Sequence, residues 1–184
     1  VLAVSQGGKA ALLQQRFTEW EACLNARMTL VLPDVRGTGE SSVGRSRGQD
    51  GAATNLSANL QLFGETLVGQ RLRDLRSVLR YLSSRPGLAQ GPLVLWGEAG
   101  VPVNPSTSNF QIPRGVGGWP AEAEPLGGLL AFLGALYEDR VSTVITVGGL
   151  TDFRSVLTDP AVFIPHDAAI PGVISAGDLD GLAA

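Results

Sequence analysis

The sequence predicts an α/β fold, a doubly wound and mostly parallel sheet, and three observations carry that expectation. Four short apolar runs, at 1–4, 28–32, 93–96 and 141–147, alternate with segments of helical period. The run at 93–96, four consecutive apolar residues, reads as a strand buried on both faces. Each of the four runs leaves directly into glycine, proline or small polar residues, the usual punctuation of strand ends.

Val1 to Val4 reads as a strand that exits through Ser5-Gln6-Gly7-Gly8. From Lys9 to Arg27 the positions Leu13, Phe17, Trp20 and Leu24 fall on one helical face, which is expected to cover the sheet. Met28 to Leu32 is the next strand, closed by Pro33, and residues 42–55 read as a loop because they are rich in Gly, Ser, Arg and Asn. Leu72, Leu75, Val78, Leu79 and Leu82 predict a helix over 67–84 that stops before Pro86. Its opposite face carries Arg73, Arg76 and Arg80, as a solvated face does. After the 93–96 strand, residues 101–124 form a long loop insertion. Pro125 then opens a helix that runs to about Asp139, and Val141 to Val147 is the fourth strand.

The 184 residues suffice for one domain with its own core. A net charge of -3 gives no electrostatic basis for nucleic acid or an anionic membrane as partner. No apolar run reaches the roughly 18 residues of a membrane span. The chain opens inside a strand at Val1 and stops at Ala184 in what reads as a starting helix, so it is expected to be a single truncated domain whose signal, if any, precedes it. Compartment is therefore left open. One histidine, His166, and one cysteine, Cys23, do not supply the ligands of a zinc site, so no metal is expected. Cys23 falls at an apolar helical position and reads as a core thiol. Gly37-x-Gly39 is not followed by the third glycine or the helix of a dinucleotide fingerprint, so no cofactor is expected either.

Three stretches carry a family likeness. Asp34-x-Arg36-Gly37-x-Gly39-x-Ser41 resembles the turn after the fourth strand of many α/β-hydrolases. Gly69-Gln70-Arg71-Leu72-Arg73-Asp74, with Tyr81-Leu82 and Arg85-Pro86, is similar to the helix leading into the nucleophile strand of acetyl xylan esterase-like and peptidase-like members. Leu95-Trp96-Gly97-Glu98 resembles the approach to their nucleophile, and Val162 to Asp167 is similar to a stretch of some bacterial esterase-like sequences. The resemblance implies that the four strands are the third to sixth of an eight-stranded α/β-hydrolase sheet, in the spatial order 4-3-5-6. The catalytic acid and histidine would then follow Ala184.

Gly97-Glu98-Ala99-Gly100 stands where the family has its nucleophile elbow, and Ala99 occupies the serine position. A methyl group cannot be activated as a nucleophile by any neighbouring base. The oxyanion donors implied are the backbone N–H of Gly100 and one from the loop holding Gln6 and Gly7. Glu98 is expected to be exposed at the elbow. Asp34 and Arg36 are expected to hold neighbouring loops, and the elbow is expected to lack a supporting helix N-terminus because of the insertion. His166, beside Asp167, is the one candidate base, against a structural role in a loop. Function therefore points to a carboxylic-ester hydrolase relative, acting on a small-molecule or carbohydrate ester if active but inactive as this chain. The alternative is a non-catalytic binding or interaction protein that keeps the pocket. Unpaired strands at both sides of a partial sheet predict self-association through its edges.

Overall fold

The computed structural model describes residues 1–42, 47–48, 51–88, 91–100, 108–109, 121–122, 124–158 and 162–183. In chain order the elements are β1 (Leu2–Ser5), α1 (Gly8–Gln15), α2 (Phe17–Asn25), β2 (Arg47–Gly48), α3 (Ala52–Leu62), α4 (Leu67–Ser83), β3 (Leu93–Glu98), β4 (Ser108–Asn109), β5 (Ala121–Glu122), α5 (Leu126–Tyr137), β6 (Val141–Val147), α6 (Arg154–Thr158), β7 (Val162–Phe163) and α7 (Asp178–Ala183). Most of the predicted 101–124 insertion lies outside the described residues.

The sheet is parallel, with strands in the order β1-β3-β6; Leu2 lies opposite Leu95, and Leu95 opposite Val144. The expected strand at 28–32 is reduced to one bridge between Val31 and Leu2. Ala3 N–H donates to Val31 O and Val31 N–H to Val1 O, both at 2.9 Å. Pro33 has no N–H with which to extend the ladder. The spatial order is therefore Val31, β1, β3, β6. Short two-residue strands pair separately, β2 with β4 and β5 with β7.

Both faces of the sheet are covered. Leu2 and Val4 of β1 and Leu95 of β3 point into a core with Val68, Leu75 and Leu79 of α4 and Leu126 and Leu130 of α5. By strand alternation Ala3 faces the other way and packs with Leu12 of α1, Trp20 of α2 and Trp96. Cys23 is half-buried against this second cluster.

The single helix expected over Lys9 to Arg27 is instead two, broken at Arg16, whose φ of -121° and ψ of 30° leave the helical region. The break turns Trp20 inward, where its indole N–H donates to Leu12 O at 2.8 Å. Leu12 thus takes the buried place, while Leu13, Phe17 and Leu24 are 48%, 67% and 58% exposed. A uniform helical period cannot anticipate a rotation of phase at the break. The expected loop at 42–55 is also corrected: α3 begins at Ala52 and buries Ser57 against the turn at His166–Ala168.

Helix α4 follows the expected bounds, capped by Thr66, whose Oγ1 accepts the Gly69 N–H at 3.0 Å. Its buried stripe runs Leu67, Arg71, Leu75, Leu79 at spacings of four, so a charged residue occupies a core position. The opposite face is solvated and paired, Arg73 with Glu65 and Arg76 with Glu138.

The C-terminal segment packs Ala168, Val173 and Leu179 on Leu129 and Phe153. Asp178, buried after a left-handed Gly177, accepts the backbone N–H groups of Phe153, Arg154 and Leu179 at 2.8–3.0 Å and so caps the start of α6. Burial pushes its pKa up, but these three bonds pull harder and leave it below the ordinary 3.8. A depressed folded-state pKa stabilises fully above the unfolded value and is lost as pH falls through the folded one. The contribution of Asp178 is therefore expected to fade only below about pH 4, as acid melts would show. Asp178→Asn should flatten the stability profile in that window and leave the profile above it parallel to wild type.

Candidate functional site

Successive connections from a parallel sheet that leave in opposite directions open a crevice at the carboxyl ends of the strands. Here the chain goes from β1 to the Val31 segment on one side, then returns past β1 to β3 on the other. The point where the two connections diverge lies between the loop after β1 (Ser5 to Gly8) and the turn after β3 (Ala99-Gly100).

The two loops are bonded to one another. Gly7 N–H donates to Ala99 O at 3.4 Å, and a Cβ on Gly100 would lie 2.6 Å from Ser5 Oγ. Ala99 N–H donates to Val147 O at 3.3 Å, and a Cβ on Gly148 would be 3.7 Å from the Ala99 methyl. Ala99 therefore sits where the ends of β1, β3 and β6 converge. The backbone there differs from the expected elbow. Among the described residues only Arg27 and Asp178 combine a side chain with positive φ, and the left-handed residue of this turn is Gly100, at 63°. The strained position thus falls one residue after the expected nucleophile position, on the residue type that adopts it without cost.

Gly97 has a packing role. A Cβ there would run into Gly127 O, and one on Gly127 would meet Glu98 O and N. The first turn of α5 consequently lies directly on the end of β3. This corrects the expectation that the insertion deprives the turn of a helix N-terminus: the helix returns to the strand, and paired glycines let the backbones touch.

The expected exposure of Glu98 is also corrected. Its carboxylate is 5% exposed and receives Arg16 Nε at 3.0 Å on each oxygen and Trp96 Nε1 at 3.1 Å. Arg16 binds Glu19 as well, at 3.1 Å, and the two carboxylates raise its pKa, the Glu98 hydrogen bond foremost. A buried charge is stable when paired this way. Glu98 anchors the α1–α2 junction to β3 rather than facing a substrate, and Gln15 adds a bond from Nε2 to Gly100 O at 3.3 Å.

Of the expected oxyanion donors, Gly7 is spent on Ala99 O, whereas Gly100 N–H has no partner among the described residues. Gln6 lies in the same loop, with Oε1 buried and without a hydrogen-bond partner among them.

Asp34, Arg36, Gly37, Gly39 and Ser41 build a turn around the next strand end. Asp34 Oδ1 accepts Lys9 N–H at the start of α1 at 2.7 Å, and Oδ2 accepts Glu40 N–H at 3.1 Å. Gly8 and Gly39, both left-handed, let the backbone close on that carboxylate. Arg36 forms a two-pronged bond to Asp74, at 2.7 and 2.6 Å, and reaches Gln70 at 2.7 Å. Burial raises the Asp74 pKa, but the Arg36 bonds outweigh it and leave the carboxyl below its ordinary value. Ser41 Oγ donates to Val35 O at 2.7 Å.

His166 is exposed on its 3₁₀ turn, its carbonyl accepting Ser57 Oγ at 3.2 Å. It lines an open groove of about 450 Å³ with Gln61, Phe153, Leu157 and Ile174. No hydrogen bond or cavity joins it to Ala99 among the described residues. Its neighbour Asp167 turns the other way, into the core, where it meets Arg71 Nη1 at 2.8 Å. Sequence reasoning missed this pair and Arg16. The signal for the first was Arg71 on the Leu67-Leu75-Leu79 stripe.

No group of three or more His, Cys, Asp or Glu that could hold a metal occurs among the described residues, and no helix among them is long and apolar enough to cross a membrane. The chain matches no protein-family model, no curated protein and no solved structure.

Proposed function

We propose that the chain is an α/β-hydrolase-type domain of the carboxylic-ester hydrolase branch whose nucleophile position is empty, so that it hydrolyses no ester. The observation that carries this reading is the strand order Val31, β1, β3, β6, which sets Ala99 at the carboxyl end of β3, where the chain's connections diverge. In an active relative a serine there would attack a small-molecule or carbohydrate ester, with the oxyanion held by backbone N–H groups and the proton taken by histidine. Here the methyl offers no lone pair, one donor is occupied by Ala99 O, and His166 lies in another groove. A non-catalytic interaction domain is the second reading, favoured by the outer edge of β6, which pairs with no strand among the described residues.

Hydrolysis of p-nitrophenyl acetate tests the proposal. Wild type is expected to show no turnover that a fluorophosphonate suppresses. Ala99→Ser adds a hydroxyl without a base, and such a serine is a weak nucleophile at neutral pH. Its gain should be slow and unchanged in Ala99→Ser with His166→Ala. Strong activity in the single variant that disappears in the double would make His166 the base and overturn the proposal.

A further inference from the structure

We draw no further inference here: the strongest candidate, the mostly apolar cavity of about 280 Å³ between α4 and the amino ends of β1 and β3, lined in part by Leu79, Leu82, Leu93 and Arg140, is bounded by Val1, the first residue of the sequence, and nothing in the structure shows what covers it.

Discussion

Asp167→Ala lowers the stability of the chain by about 3–5 kcal/mol, the cost of removing one partner from a buried ion pair. Arg71 and Asp167 are 0% and 2% exposed and meet at 2.8 Å, so the substitution withdraws the Asp167 carboxylate from a buried guanidinium. Arg71 Nε also donates to Arg36 O at 3.0 Å, so the loss should spread to the turn at the Val31 strand end. Urea unfolding should show an earlier midpoint at an unchanged slope. Arg71→Met with Asp167→Leu removes both charges and should lie nearer to wild type than the single variant. Glu65→Ala, which breaks the exposed pair with Arg73, should leave the midpoint nearly unchanged. Equal effects from Asp167→Ala and Glu65→Ala would show that the C-terminal segment is not docked on α4.

Gly97→Ala is expected to destabilise by about 3 kcal/mol or more, because the added methyl meets backbone and not a side chain that can turn away. Its neighbour is Gly127 O in the first turn of α5, itself held to the strand end by the absence of a side chain on Gly127. Relief would require moving α5 off β1 and β3, whose buried contacts with Leu126 and Leu130 form much of the main core. Gly87→Ala provides the contrast. Nothing lies within 4 Å of its new methyl, and only the left-handed φ of 82° resists, at roughly 1–2 kcal/mol. Thermal melts of the two variants should therefore separate widely. A Gly97→Ala protein that melts with wild type would mean that α5 does not rest on the end of β3.

The parallel core was legible because the leucine- and valine-rich run at 93–96 reads as a strand covered on both faces, as β3 is. α4 and α5 were legible for a related reason, a helical period that stops before Pro86 in one and starts at Pro125 in the other. Phase was not legible. The break at Arg16 exists to bring its guanidinium to Glu98, a contact across 82 positions that no local window contains. Apolar composition predicts a full strand at 28–32 but says nothing of how many hydrogen bonds a segment beside Pro33 can form, and the structure keeps one bridge there. At the site, the glycines around Ala99 were visible as a sharp turn. Which of them takes the left-handed conformation, and which amide is spent on Ala99 O, depends on how the β1 and β3 loops meet. The Arg71–Asp167 pair was hidden for the same reason, its members being 96 positions apart.

The central claim is that the turn at the carboxyl end of β3 holds no nucleophile. Intact-mass analysis after exposure to a fluorophosphonate tests it most directly, since such probes form an adduct only with an activated serine. The account predicts no mass shift for the wild-type chain and no rapid adduct for Ala99→Ser, whose hydroxyl would have no base beside it. A stoichiometric adduct on the wild-type protein, mapped to Ser5 or to any other serine at the carboxyl ends of these strands, would contradict it.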